Sequence, residues 1–347
     1  MSELGAYITN EYGILKQIFS YLSSKDLLSA SDVCREWKEV ANRILMKNNK
    51  PVSYSKDLVS GWGTFHTKLH PKVILHFSCS YGRKNLGSDF FPKLSELYDV
   101  KDISVFNIRN NYFIASEYTG GKLAIKPKLG KNAETALFLC DMPGIVINSF
   151  YFRGPLSSQE IESLDRLSDT KCLILIAGGD VPCINLAHNV TSIFNKDGSL
   201  LMAGGIAQRA VRSHPLLPSS VTKYAVLGIT FHGENLTAHL GLHQLSRNLQ
   251  NFMEAFSKEV GPLPEGSVRI AFMFSCINRI KMLKDKETLI FSKCFPNVPV
   301  YGFWSYGEFA VIRKKPSEPS PSKKAKLTDW LHEECTSYLI LTFKKES

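Results

Sequence analysis

The sequence has no long hydrophobic run: the strongest, residues 172–177, is strand-sized, far short of the roughly 18 to 20 apolar residues that a membrane-crossing helix needs. A membrane partner is therefore not expected. Residues 1–6 carry neither a basic stretch nor an apolar one, so a secretory leader is not expected either, and the chain reads as intracellular. Paired cysteines are missing too. The eight present (Cys34, Cys79, Cys140, Cys172, Cys183, Cys276, Cys294, Cys335) are scattered singly, mostly within apolar strings, which suits reduced, packed thiols and argues against a disulfide framework. Gly-x-Ser-x-Gly is absent, and with it the signature of a serine hydrolase. Gly178-Gly179 and Gly204-Gly205 follow apolar runs but continue neither as Gly-x-Gly-x-x-Gly nor into Gly-Lys-Ser/Thr, so they read as tight turns at strand ends, not phosphate cradles. His66 and His70 are four apart but lack the Glu of a zinc protease; His239 and His243 share that spacing within a strand pattern, where such side chains do not converge. No catalytic residue, metal or cofactor is expected.

What the sequence does have is core material. A chain of 347 residues that is 44% hydrophobic and 21% charged, with 21 Phe and 13 Tyr, describes a soluble globular protein of two or three domains. Its net charge of +10 would suit a nucleic acid, but half of the excess lies between residues 313 and 326, where six basic residues face one acid. The rest is spread thinly, so a nucleic-acid groove is not expected.

Three short helical patterns open the chain. Ile14, Leu15, Ile18, Phe19 and Leu22 recur at helical spacing behind the cap candidates Thr9 and Asn10. Ser23 and Asp26 stand at capping-box spacing ahead of Leu27 and Leu28, and Val33, Trp37, Val40, Ala41 and Ile44 form a third stripe. A unit this small buries little surface, and a partner covering its apolar face is the natural remedy. Beyond residue 51, short apolar runs alternate with helical stretches. Strands are predicted at 73–77, 103–108, 136–140, 145–152, 172–177, 200–203, 269–276 and 337–343, with helices at 157–167, 184–194 and 244–260. Residues 224–230 and 236–242 flank His232-Gly233-Glu234-Asn235 and read as a hairpin. A further helix and strand are predicted within 291–304. The fold class is α+β, a mixed α/β arrangement in which a small three-helix unit (1–50) precedes a larger mixed-sheet body in two halves (51–222 and 223–347), the second holding a basic Pro/Ser loop at 313–328.

Residues 10–41, NEYGILKQIFSYLSSKDLLSASDVCREWKEVA, resemble the F-box, a three-helix module that binds the Skp1 adaptor of SCF ubiquitin ligases. The matching positions include Asp26-Leu27-Leu28 and the Val33-Cys34-Arg35-x-Trp37 ending. The remainder is similar to a FIST domain, through Leu227-Gly228-Ile229, FMFSCINR at 272–279 and FPNVPVYGFWSYGE at 295–308. The F-box resemblance implies Skp1-facing anchors among Ile14, Leu15, Ile18, Leu22, Leu27 and Leu28, and an F-box core that includes Phe19, Val33 and Trp37. It implies Skp1 as partner, with a cullin and a RING subunit reached through it, and protein substrates whose identity the sequence does not give. The expected role is a non-catalytic subunit that recruits substrates for ubiquitination and degradation.

Two rivals are open at this point. In one, the FIST-like body is a sensor that binds a small ligand near Cys276, Arg279, Gly307 and Glu308. In the other, the body is a thiol enzyme in which the Arg279 guanidinium depresses the Cys276 pKa. Arg313, Lys314, Lys315, Lys323, Lys324 and Lys326, split by a Pro/Ser spacer, resemble a bipartite nuclear import signal, which implies residence in both cytoplasm and nucleus.

Overall fold

The computed structural model describes residues 12–47, 50–57, 61–62, 65, 69–79, 90–98, 103–119, 122–129, 133–167, 169–179, 181–196, 198–213, 225–283, 285–312 and 330–344. Three helices come first: α1 (Tyr12–Phe19), α2 (Ser24–Ser31) and α3 (Arg35–Lys47). The expected cap of α2 is formed, with the Ser23 hydroxyl accepting from the Asp26 amide at 3.2 Å and donating to the Asp26 carboxylate at 2.6 Å. Leu15, Phe19, Leu27, Ala30, Val40, Ala41, Ile44 and Leu45 close on one another as a small core of their own. Trp37 seals one side, its ring edge-on to Phe19 at 5.2 Å between centroids.

The body that follows holds strands β1 (Val52–Asp57), β2 (Gly61–Trp62), β3 (Pro71–Ser78), β4 (Ser104–Arg109), β5 (Tyr112–Thr119), β6 (Lys122–Leu129), β7 (Glu134–Cys140), β8 (Val146–Phe152) and β9 (Cys172–Gly178). These are followed by β10 (Leu201–Ala207), β11 (Arg209–Ser213), β12 (Val226–His232), β13 (Leu236–Gln244), β14 (Val268–Cys276), β15 (Val300–Ser305), β16 (Glu308–Val311), β17 (Leu331–His332) and β18 (Cys335–Phe343). Its helices are α4 (Phe90–Leu97), α5 (Ser158–Asp165), α6 (Val181–Phe194), α7 (Leu249–Val260), the single turn α8 (Ile280–Leu283) and α9 (Lys286–Cys294). The capping box predicted for α5 is present, Ser157 and Glu160 satisfying each other's backbone amides.

The strands form three six-stranded sheets, ordered β11-β4-β3-β7-β1-β2, β17-β16-β10-β9-β12-β8 and β13-β18-β14-β15-β5-β6. Their inner faces meet in one large core: Val73, Leu75 and Phe77 of β3, Ile174 and Ile176 of β9, Phe272 and Phe274 of β14, Leu339 and Leu341 of β18. Residues in between point the other way and are covered in turn. Leu173 and Leu175 pack with α6, Ala271 and Met273 with α7 and α9, and Ile74 with Phe90 and Leu94 of α4. Because both faces of the central strands are buried, those strands read as continuous apolar runs in the sequence, not as alternations.

Three expectations are corrected. Residues 224–230 and 236–242 do not form a hairpin: β12 lies between β8 and β9, while β13 pairs with β18 in another sheet. Both edges of β12 are already taken, so β13 turns away after Gly233, whose φ of 117° few other residues adopt. Gly204 and Gly205 are not a turn but the middle of β10. A side chain on Gly204 would collide with the Leu175 carbonyl, and one on Gly205 with the Ser305 hydroxyl, so glycine is there for close strand approach. Finally, the sheets do not respect a division at residue 222. Strands β5 and β6 complete the sheet of β13 to β15 and β18, whereas β16 and β17 join β8 to β10 and β12.

Candidate functional site

The N-terminal helices divide their apolar residues between inside and outside. Ile14 and Ile18, one turn apart on α1, are 39% and 46% exposed, and Tyr12 and Tyr21 stand exposed beside them in sequence. Leu22 and Leu28 are half-buried at the rim of the small core. Leu15 and Leu27 are sealed inside it, and this corrects their assignment as partner-facing anchors: with α3 closing over them they hold the helices together. Phe19 is in the core as expected. Val33 is not: it lies in the turn between α2 and α3, 63% exposed.

The second region lies where β14 ends and β18 begins, and it does bring Cys276, Arg279 and Glu308 together. Arg279 is fully buried, which corrects its reading as a charge free to act on a thiol. Its Nη2 donates to Glu287 Oε1 at 2.5 Å and to His243 Nδ1 at 2.7 Å, and its Nη1 donates to the Glu334 carbonyl at 2.9 Å. Since His243 Nδ1 accepts, its Nε2 carries the proton and donates to the Arg247 carbonyl at 3.0 Å. Burial pushes the His243 pKa down, in keeping with a neutral ring. Thr336 and Tyr338 donate hydroxyls to Glu287 Oε1, and Ser275 to Oε2. The guanidinium is thus consumed by a satisfied buried network.

Glu308 has a different environment. Burial pushes its pKa up to about 9, so it is protonated at neutral pH; Oε2 accepts from the Cys335 amide at 3.4 Å, and Oε1 is buried without a hydrogen-bond partner. The same burial, with the Glu308 carboxyl beside it, pushes the Cys276 thiol up. The activation that the thiol-enzyme rival required is therefore reversed, since burial and the Glu308 carboxyl favour the protonated thiol. Gly307 occupies the turn from β15 to β16, its amide donating to Ser305 Oγ at 3.2 Å and its carbonyl accepting from the Ile206 amide at 3.0 Å. That turn ties the third sheet to the second, so Gly307 is a connecting residue. A cleft of about 250 Å3 lies elsewhere, between Arg153 and Pro155 on one side and Pro182, Asn185 and Leu186 of α6 on the other.

Several residues were missed by sequence reasoning: Glu287, His243, Thr336, Tyr338 and Cys335 reach this corner from three separate elements, and no local spacing signals their convergence. Arg313, Lys314, Lys315, Lys323, Lys324, Lys326 and His66 lie outside the described residues. His239 is half-buried on β13, a strand in which His243 alone reaches the Arg279 network among the histidines described.

Comparison with known proteins bears on both regions. Residues 13–49 match the F-box-like family model, and residues 225–311 match that of the FIST C domain. F-box only protein 22 from Homo sapiens and from Pongo abelii are each 21% identical to this chain, over 348 and 351 residues respectively, covering 88% of it and 86% of the relative. Among solved structures, a cyanuic acid hydrolase from A. caulinodans overlaps 80% of this chain and 91% of its own, at 7% identity and a TM-score of 0.37. The chain thus carries an F-box-like domain at its three opening helices and a FIST C domain in the later part of its body, and over most of its length it is similar to F-box only protein 22.

Proposed function

We propose that this chain is a substrate-recruiting adaptor of an SCF ubiquitin ligase. In this reading the F-box-like helices dock on Skp1, which links them to a cullin and a RING subunit, and the three-sheet body binds target proteins. The observation that carries it is the F-box-like match at 13–49 on helices whose outer face leaves Ile14 and Ile18 exposed while the inner face is filled. Exposed isoleucines one turn apart are the pattern of a helix that buries a second face in a partner.

The mechanism is proximity. A target held on the body at a fixed distance from the ubiquitin-charged enzyme presents its lysines at raised effective concentration, so no bond is made or broken by the adaptor itself. Target contacts belong on loops at the strand ends, where a rigid body carries variable surface. The basic segment supports residence in the nucleus as well as the cytoplasm, and deleting residues 313–326 should lower nuclear content if it acts as an import signal.

The test is affinity purification of the full chain beside Ile14→Glu/Ile18→Glu. Skp1 and a cullin should accompany the wild type and be lost from the variant, with the variant's melting temperature unchanged. Equal recovery of Skp1 from both would overturn the assignment of this face, and its absence from both would overturn the adaptor reading.

A further inference from the structure

Two of the buried cysteines lie at the same end of one strand pair. In the antiparallel ladder of β14 and β18, Ile270 opposes Leu341, Phe272 opposes Leu339 and Ser275 opposes Thr336. Continued by one residue, that register sets Cys276, the last residue of β14, against Cys335, the first of β18. Directly opposed residues of an antiparallel pair carry their side chains on the same face, with Cα atoms about 4.5 to 5.5 Å apart. A disulfide spans Cα separations of about 4.4 to 6.8 Å.

Three further observations bear on the pair. The strands are close here, since the hydroxyl oxygens of the adjoining Ser275 and Thr336 lie 2.8 Å apart across the ladder. Cys335 feels the charge of Cys276, and both thiols feel the Glu308 carboxyl, which places all three at the same end of the strand pair. The pair sits at the end of the ladder, next to exposed Glu333 and Glu334, and not at its middle.

We infer that Cys276 and Cys335 form a reversible cross-strand dithiol, a site of oxidation by small-molecule disulfides of the glutathione class. One cysteine, deprotonated, attacks a sulfur of the reagent; the reagent's S–S bond breaks, and the leaving thiolate takes up the proton. The second cysteine then attacks the protein sulfur of the mixed disulfide and expels the other half of the reagent as a thiol. Two protein thiols are oxidised to one disulfide, and one reagent disulfide is reduced to two thiols. The product closes α8, α9, β15, β16, β17 and the basic segment into a loop pinned at its base.

Burial and the neighbouring carboxyl hold both thiols in the protonated form, so the first step is slow at neutral pH and speeds up as pH rises. Once the mixed disulfide exists, the opposed thiol resolves it without diffusion. Cys34, exposed in the connection between α2 and α3, has no cysteine in the small core beneath it and serves as an internal contrast.

The test uses the full chain, folded, incubated with glutathione disulfide, alkylated, digested and mapped by mass spectrometry. The expected result is a cross-linked peptide pair joining Cys276 to Cys335, two hydrogens lighter than the separate peptides and abolished by dithiothreitol, while Cys34 retains bound glutathione. In Cys276→Ala the Cys335 peptide should retain glutathione or remain free, and Cys335→Ala should mirror it. The oxidised wild type should melt at a higher temperature than the reduced form, because closing a long loop restricts the unfolded chain. Native wild type showing no cross-link between these peptides across the alkaline range, or one no more abundant than links between other cysteines, would overturn the assignment; this readout does not depend on the variants folding.

Discussion

Arg279 and Glu287 form an ion pair that is fully buried, with relative exposures of 0% and 1%, and the hydroxyls of Ser275, Thr336 and Tyr338 also donate to the carboxylate. Such a pair is costly to break from one side, because the surviving charge has neither water nor a partner. Arg279→Leu should destabilise the body by about 3–5 kcal/mol, and Glu287→Leu by a similar amount. Urea unfolding followed by fluorescence reads both. A loss below about 1 kcal/mol for either would mean that the corner is wetter than its geometry indicates.

Glu308 gives a prediction with a definite sign. Its folded pKa of about 9 lies above the ordinary carboxyl value of 4.5, so the folded state holds the proton more tightly. Its contribution is therefore favourable below about pH 4.5 and is lost progressively as pH rises towards 9. Glu308→Gln removes that loss. The variant should match the wild type near pH 4.5 and exceed it at pH 8 by an amount on the order of a few kcal/mol, seen as a melting-temperature gap that widens with pH. A gap that stays constant with pH would show that the carboxyl titrates normally.

Within the opening helices, burial separates two kinds of leucine or isoleucine defect. Leu27→Ala should cost about 2–4 kcal/mol by leaving a cavity beside Phe19 and Val40, and any loss of partner binding would be secondary to unfolding. Ile14→Glu/Ile18→Glu should leave the far-ultraviolet circular dichroism melt in place. Equal damage from both would place the isoleucines in an interior contact.

Gly204→Ala should prevent accumulation of soluble protein. Its added methyl would sit on the Leu175 carbonyl in the neighbouring strand, and both strands are buried on two faces, so neither can move aside. Gly198→Ala, at a residue with nothing within 4 Å of the new carbon but a φ of 71°, tests strain alone and should be much milder. Solubility of the two variants side by side checks the comparison.

The parts of the molecule legible in the sequence were those set by local rules. The Ser23 cap, the Ser157/Glu160 capping box and the apolar runs at 172–177 and 269–276 fell where their spacing put them, because caps and strand burial depend on neighbours a few residues away. The hairpin at 232–235 failed because edge occupancy is decided elsewhere: β8 and β9, far back in the chain, had already claimed β12. Inside-versus-outside also failed for Leu15 and Val33, since a helical stripe gives periodicity but not which side a third helix will cover. The Arg279 network was illegible for a related reason. Its partners come from β13, β14, α9 and β18, and only the register of the sheet brings them within reach.

The strand exchange across residue 222 has a practical meaning for anyone dissecting this protein. A fragment ending there would keep β8 but lose β12, with which it pairs, and would leave the β5–β6 ribbon with no β15 to lie against. The complementary fragment would carry β16 without β10. Neither piece could be expressed as a soluble miniature; mixing the two, on the other hand, offers a complementation system in which recovery of a folded body would report that both fragments had met.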